Sequence, residues 1–93
     1  MKTSNYTGPS EFFIKSIELA KIAIEHDKSQ KYQEAFEYYK KTIEFLLEAN
    51  KIERDNNIKE VIKNKTSEFL NRAEQIKQTL EEISKKYNFH IFF

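Results

Sequence analysis

The chain has 93 residues, one Gly, one Pro, no Cys and no Trp, and its sixteen basic and fifteen acidic side chains leave a formal charge of +1. That length holds one small domain, too small to enclose a large catalytic cavity, and without Cys it has neither a disulfide framework nor a thiolate metal site, as suits a reducing compartment. The near-neutral balance excludes a whole-molecule field for nucleic acid, and no apolar run is long enough to cross a bilayer.

Residues 1–9 lack apolar periodicity and end in Gly8-Pro9, so they read as a flexible lead without the apolar segment of a secretory signal. Ser10 is placed to cap a helix that begins near Glu11 and runs to about Lys28. Its expected seam is Phe13, Ile17, Ala20 and Ile24, widened by Ile14 and Leu19. After the polar joint Ser29-Gln30-Lys31, the period restarts with Tyr32, Ala35, Phe36, Tyr39, Ile43, Leu46 and Leu47. So short a joint predicts an antiparallel hairpin. The second joint is Arg54-Asp55-Asn56-Asn57, where Asn57 with Glu60 three places on resembles a capping box. Helix three follows through Ile58, Ile62, Thr66, Phe69, Ala73, Ile76, Leu80, Ile83 and Tyr87, about 45 Å of helix. It outruns its partners, and Glu81 to Lys86 should project or fray. The expected fold is an all-α, antiparallel three-helix bundle over residues 10–87 with a long third helix. The apolar tail, residues 88–93, abandons the period and has no assigned role.

Little here could carry catalysis. His26 beside Asp27 at the end of helix one suits an interaction with the helix dipole, His90 lies in the tail without companion ligands, and the adjacent Glu81 and Glu82 point in different directions. No catalytic residue, metal site or cofactor is expected. The bases are fourteen Lys and two Arg, Arg54 and Arg72, with acids interrupting every Lys group, so no nucleic-acid stripe exists.

One residue stands apart. Leu70 lies about 100° around helix three from Phe69, on a flank shared with Lys63, Ser67, Glu74 and Lys77. A lone apolar side chain among short and charged ones suits a groove that receives an amphipathic helix; periodicity alone equally allows Leu70 simply to pack on helix two.

The run Ala20-x-x-Ala23, Glu25-His26-Asp27-Lys28, Tyr32-Gln33-Glu34-Ala35-Phe36-Glu37-Tyr38-Tyr39, Ile43-Glu44 and Leu46-Leu47 resembles the first two helices of an MIT (microtubule interacting and trafficking) domain. Ile62-Lys63-x-Lys65 and Glu68-Phe69-Leu70-Asn71-Arg72-Ala73-Glu74-Gln75-Ile76-Lys77 are similar to that family's third helix. The resemblance spans about residues 12 to 82 and is strongest to MIT domains that precede an AAA ATPase of vacuolar protein sorting. It implies a non-catalytic adaptor that binds C-terminal tail peptides of ESCRT-III subunits, helical ones between helices two and three and extended ones between helices one and three. The attached ATPase would then reach the filament for its disassembly.

Position by position, Leu70 matches the Leu at the heart of the first groove, Glu74 the acid that meets a basic residue of the peptide, and Lys65 a basic position nearby. Ser67, Lys63, Lys77 and Leu46 complete the expected groove. Ala20 matches a small position of the second groove, expected to include Ile17, Glu68 and Arg72. Asn50 and Ser16 stand where relatives usually carry apolar or Ala residues, which should alter the groove rims. The resemblance further implies a cytoplasmic, monomeric domain recruited peripherally to endosomal membranes, with no nucleic acid and no direct membrane insertion. The alternatives are a self-associating helical bundle or a tetratricopeptide-like scaffold. Tyr32-x-Glu34-Ala35-x-x-x-Tyr39-x-x-x-Ile43 also fits the latter repeat, although no second copy follows and a lone repeat cannot bury its own face.

Overall fold

A computed structural model describes residues 8–87; the expectations for residues 1–7 and for the tail 88–93 lie outside the described residues. The chain forms α1 (Glu11–Lys28), α2 (Tyr32–Ile52) and α3 (Asn56–Tyr87). Ser10 caps α1 as expected, its Oγ accepting from the Phe13 amide at 3.2 Å. The cap of α3 is Asp55 rather than Asn57: its Oδ1 accepts from the Asn57 and Ile58 amides at 2.8 and 3.2 Å. A carboxylate there also meets the positive end of the helix dipole, which the neutral Asn57 would do less well.

The first joint is a Schellman turn. The Lys31 amide bonds the His26 carbonyl, the Gln30 amide bonds that of Asp27, and Gln30 takes a φ of 60°. Gly is the usual residue in this left-handed conformation, so Gln30 is strained. At the second joint the Lys59 ammonium donates to the Asn50 and Glu53 carbonyls at 3.3 and 3.4 Å, closing the C-terminal end of α2 from α3.

Two core clusters set the helix directions. Leu46, Ala49 and Ile62 form one, with Phe13 and Ile58 against it; Ala23, Ala35, Phe36, Tyr39, Ala73, Ile76 and Leu80 form the other. The start of α1 therefore meets the start of α3 and the end of α2, which makes the bundle up-down-up with α1 parallel to α3. The core ends at Leu80, so the last turns of α3 extend past it.

The seam of α1 differs from expectation. Its buried residues are Ser16, Leu19, Ala20 and Ala23, while Ile17 and Ile24 remain exposed. Small residues let α1 approach α2 closely and turn the bulkier β-branched ones toward α3. In α2, Thr42 and Ala49 are fully buried, and Leu47, expected in the seam, is exposed. The Thr42 hydroxyl donates to the Tyr38 carbonyl at 2.8 Å, which satisfies it without a partner helix.

Leu46→Ala should destabilise the fold by about 2–5 kcal/mol in urea denaturation, the range for emptying a packed leucine site. Gln30→Gly should stabilise it by up to about 1 kcal/mol in the same assay by relieving the left-handed strain.

Candidate functional site

α1 packs along α2 and α2 along α3, but α1 and α3 hardly approach each other. Two furrows therefore run along α3, one on either side of it.

The furrow between α2 and α3 has two hollows. The first, about 330 Å³, is lined by Phe36, Ile43, Leu70 and Ala73, with Lys40, Glu44, Glu74 and Lys77 at its edges. Leu70 is 51% exposed, so it walls this furrow instead of being consumed in packing on α2. The second, about 500 Å³, lies toward the start of α3 and holds Leu47, Asn50, Ile62, Lys63, Thr66 and Ser67. Glu44, Glu74, Lys63 and Lys77 have no ion-pair partner among the described residues, whereas Lys40 is 3.9 Å from Glu37.

The furrow between α1 and α3, about 320 Å³, is more uniformly apolar. Ser16, Ala20 and Phe69 lie along it with Phe13, Ile17, Ile24, Leu46 and Val61, and Lys21 and Lys65 supply its charges. The Ser16 hydroxyl donates to the Phe13 carbonyl at 2.6 Å, so a polar residue is buried there with its bond made.

Of the residues expected between α2 and α3, the structure brings together Leu70, Glu74, Lys77, Ser67 and Lys63. Lys65 and Leu46 belong elsewhere. Both line the α1/α3 furrow, because Lys65 lies on the opposite side of α3 from Leu70 and Leu46 is 2% exposed in the core. Ile17 and Ala20 line the α1/α3 furrow. Glu68 is exposed and 3.4 Å from Lys65. Arg72 is engaged: its Nε donates to Asp27 Oδ2 and its Nη2 to Asp27 Oδ1, both at 2.7 Å, and its Nη1 to Gln75 at 2.9 Å.

Asp27 also accepts from the Tyr39 hydroxyl at 2.9 Å, so one carboxylate joins all three helices. The hydrogen bonds from Arg72 hold Asp27 below its ordinary 3.8 against the opposing effect of burial. Burial, then the bond to Asp27, pushes Tyr39 up to about 12. Neither Asp27 nor Tyr39 was singled out as a site by periodicity, although Asp27 follows Ser16, Ala20 and Ala23 on the same stripe. His26, expected at the helix dipole, stacks on Tyr38 with ring centroids 5.5 Å apart. Among the described residues no group of three or more His, Asp or Glu is placed to hold a metal ion.

A three-helix bundle with two open apolar furrows sharing one wall defines a protein-interaction module. The chain belongs to the MIT (microtubule interacting and transport) domain family, whose pattern matches residues 14–78. It is 37% identical over 79 residues to vacuolar protein sorting-associated protein 4 of Dictyostelium discoideum, covering 85% of this chain and 18% of that protein. It is 36% identical over 73 residues to protein SUPPRESSOR OF K(+) TRANSPORT GROWTH DEFECT 1 of Arabidopsis thaliana, covering 78% and 17%. Human ribosomal protein S6 kinase delta-1 is 32% identical over 82 residues, 83% of this chain and 8% of the kinase. The chain thus spans less than a fifth of the length of these relatives.

The Asp27 network makes stability depend on pH at both ends. A carboxylate held below its unfolded value contributes stability that is present above about pH 4 and lost as pH falls through the folded value. A phenol raised from 10.0 to about 12 loses its contribution as pH rises across that interval. Urea midpoints measured against pH should therefore fall at both limbs, with Asp27→Asn flattening the acid limb and Tyr39→Phe the alkaline one.

Proposed function

We propose that this domain is a non-catalytic adaptor that docks the C-terminal tails of ESCRT-III subunits and so brings an attached AAA ATPase to the filament for disassembly in endosomal and vacuolar sorting. The observation that carries the reading is Leu70, half exposed on the α2/α3 wall beside the unpaired Glu74. An amphipathic helix laid there places apolar anchors against Leu70, Phe36 and Ile43, and a basic residue meets Glu74. Lys63 and Lys77 offer charges for acids of the same tail. The α1/α3 furrow takes extended tails, their apolar side chains beside Ile17 and Ala20 and their acids near Lys21 and Lys65. Similarity to vacuolar protein sorting-associated protein 4 supports the assignment. The domain acts as a monomer in the cytoplasm and reaches endosomal membranes through its partner.

A single short helix in an open furrow buries less than about 1,200 Å², so dissociation constants should lie between roughly micromolar and hundreds of micromolar. Rim ion pairs weaken with salt.

Anisotropy titrations with labelled C-terminal ESCRT-III peptides test this. Leu70→Asp should weaken helical-type peptides at least about tenfold, and Ile17→Asp should do the same for extended-type peptides, with helical content by circular dichroism unchanged in both. Absence of saturable binding by either peptide type would sink the adaptor reading. A stable dimer in sedimentation, lost when residues 81–93 are removed, would favour self-association.

A further inference from the structure

We infer that the Asp27–Arg72 pair is a latch that fixes the spacing of α1 and α3 and ends the furrow between them, so that this furrow admits only a short extended segment. The inference rests on the proposed docking role of that furrow and adds what limits its occupant.

The two helices run parallel, and Asp27 and Arg72 are 45 residues apart in sequence. Phe13 and Ile58, separated by the same interval, pack on the same core cluster at the other end. Between these two anchor points the walls, carrying Ile17, Ile24 and Val61, do not close on each other. The ion pair supplies the only hydrogen bonds between α1 and α3 among the described residues. Its two parallel bonds close only in one alignment of carboxylate and guanidinium, so they fix register as well as distance. Tyr39, bonded to the same carboxylate, sets its ring at a tilt against that of Phe69, which lines the furrow, with centroids 5.6 Å apart.

From Phe13 to Asp27 the furrow is about 21 Å long at helical rise. An extended chain advances about 3.3 Å per residue, so about six residues fill it before reaching the latch. The furrow between α2 and α3 contains neither Asp27 nor Arg72 and has no such stop. Asp27 and Arg72 are positioning residues in this scheme.

The test combines a distance with a length series. The chain has no Cys, so Lys21→Cys and Lys65→Cys can carry a pair of nitroxide labels across the furrow. Asp27→Asn should broaden and lengthen the label distance in a protein of unchanged helicity, and Arg72→Lys serves where Asp27→Asn does not fold. On unlabelled protein, extended-type ESCRT-III tail peptides lengthened residue by residue should gain affinity up to about six residues and then level off. In the latch variants that plateau should move to longer peptides, with six-residue peptides about tenfold weaker and helical-type peptides within about twofold of the native protein. An unchanged label distance in a folded variant overturns the latch, as does an unmoved plateau or an equal loss for both peptide types. If no extended peptide binds the native protein, the docking role of this furrow fails, and the label distance alone then decides the latch.

Discussion

The carboxylate of Asp27 receives the Arg72 guanidinium from α3 and the Tyr39 hydroxyl from α2, and the relation of α1 to the rest of the bundle depends on it. α1 is otherwise held mainly through α2, along a seam of Ser16, Leu19, Ala20 and Ala23 that carries no interhelical hydrogen bond of its own among the described residues. Removing two charges from water costs several kcal/mol in the general case, and an apolar pair of similar volume often stabilises as much. The polar arrangement therefore contributes more than stability. A forked guanidinium and a phenol meeting one carboxylate close in a single register, and that register decides which residues of α1 face α3. With it in place, Ile17 stands near the level of Val61 and Ile24 near that of Phe69 along the furrow; with α1 slipped by one residue, the furrow would present Glu18 and Glu25 instead.

α3 is the shared wall, and the helical rotation of about 100° per residue explains how one element serves two furrows. Phe69 lines one side, Leu70 the other, and Ala73 passes into the core between them. The length of α3 follows from the same duty. Near its start it shares a core cluster with Phe13 of α1, it clamps the end of α2 through Lys59, and it still covers Phe36 and Ala35 with Ile76 and Leu80. A shorter helix would leave either the second joint or the far core cluster uncovered.

Helix number and order were legible in the sequence because the apolar period is regular and the joints are short and polar, whereas the start of α3 lay at Asn56, inside the expected joint. The flank position of Leu70 was legible for the same reason, since Phe69 and Ala73 fix the phase of α3. The phase of α1 was not. Nine of its residues are apolar, so several stripes fit the period, and a rule that favours bulk selects Phe13, Ile17 and Ile24 beside Ala20 and passes over Ser16 and Ala23. The bundle selects the small set because only small side chains allow close contact with α2. Lys65 and Leu46, expected beside Leu70, line the other furrow: about two residues of rotation carry a position of α3 from one side to the other, and Leu46 on α2 is buried in the core, details that similarity of sequence does not resolve. The Asp27 network joins residues 12 and 45 positions apart, and no local pattern announces such contacts.

The small-residue seam also accounts for the character of the α1/α3 furrow. Packing Ser16, Ala20 and Ala23 inward removes little apolar area from water per residue, so the core takes little of the apolar surface that α1 carries. The remainder, on Ile17 and Ile24, is left facing a helix that does not come close enough to cover it. Covering it by bringing α3 nearer would require breaking the packing of α2 on α3, where Ile62, Ile76 and Leu80 are already buried. The exposed isoleucines are thus a consequence of how the other two interfaces are satisfied. A partner that buries them gains hydrophobic contact without asking the bundle to rearrange, which is the energetic condition for weak, fast and reversible docking on a preformed surface.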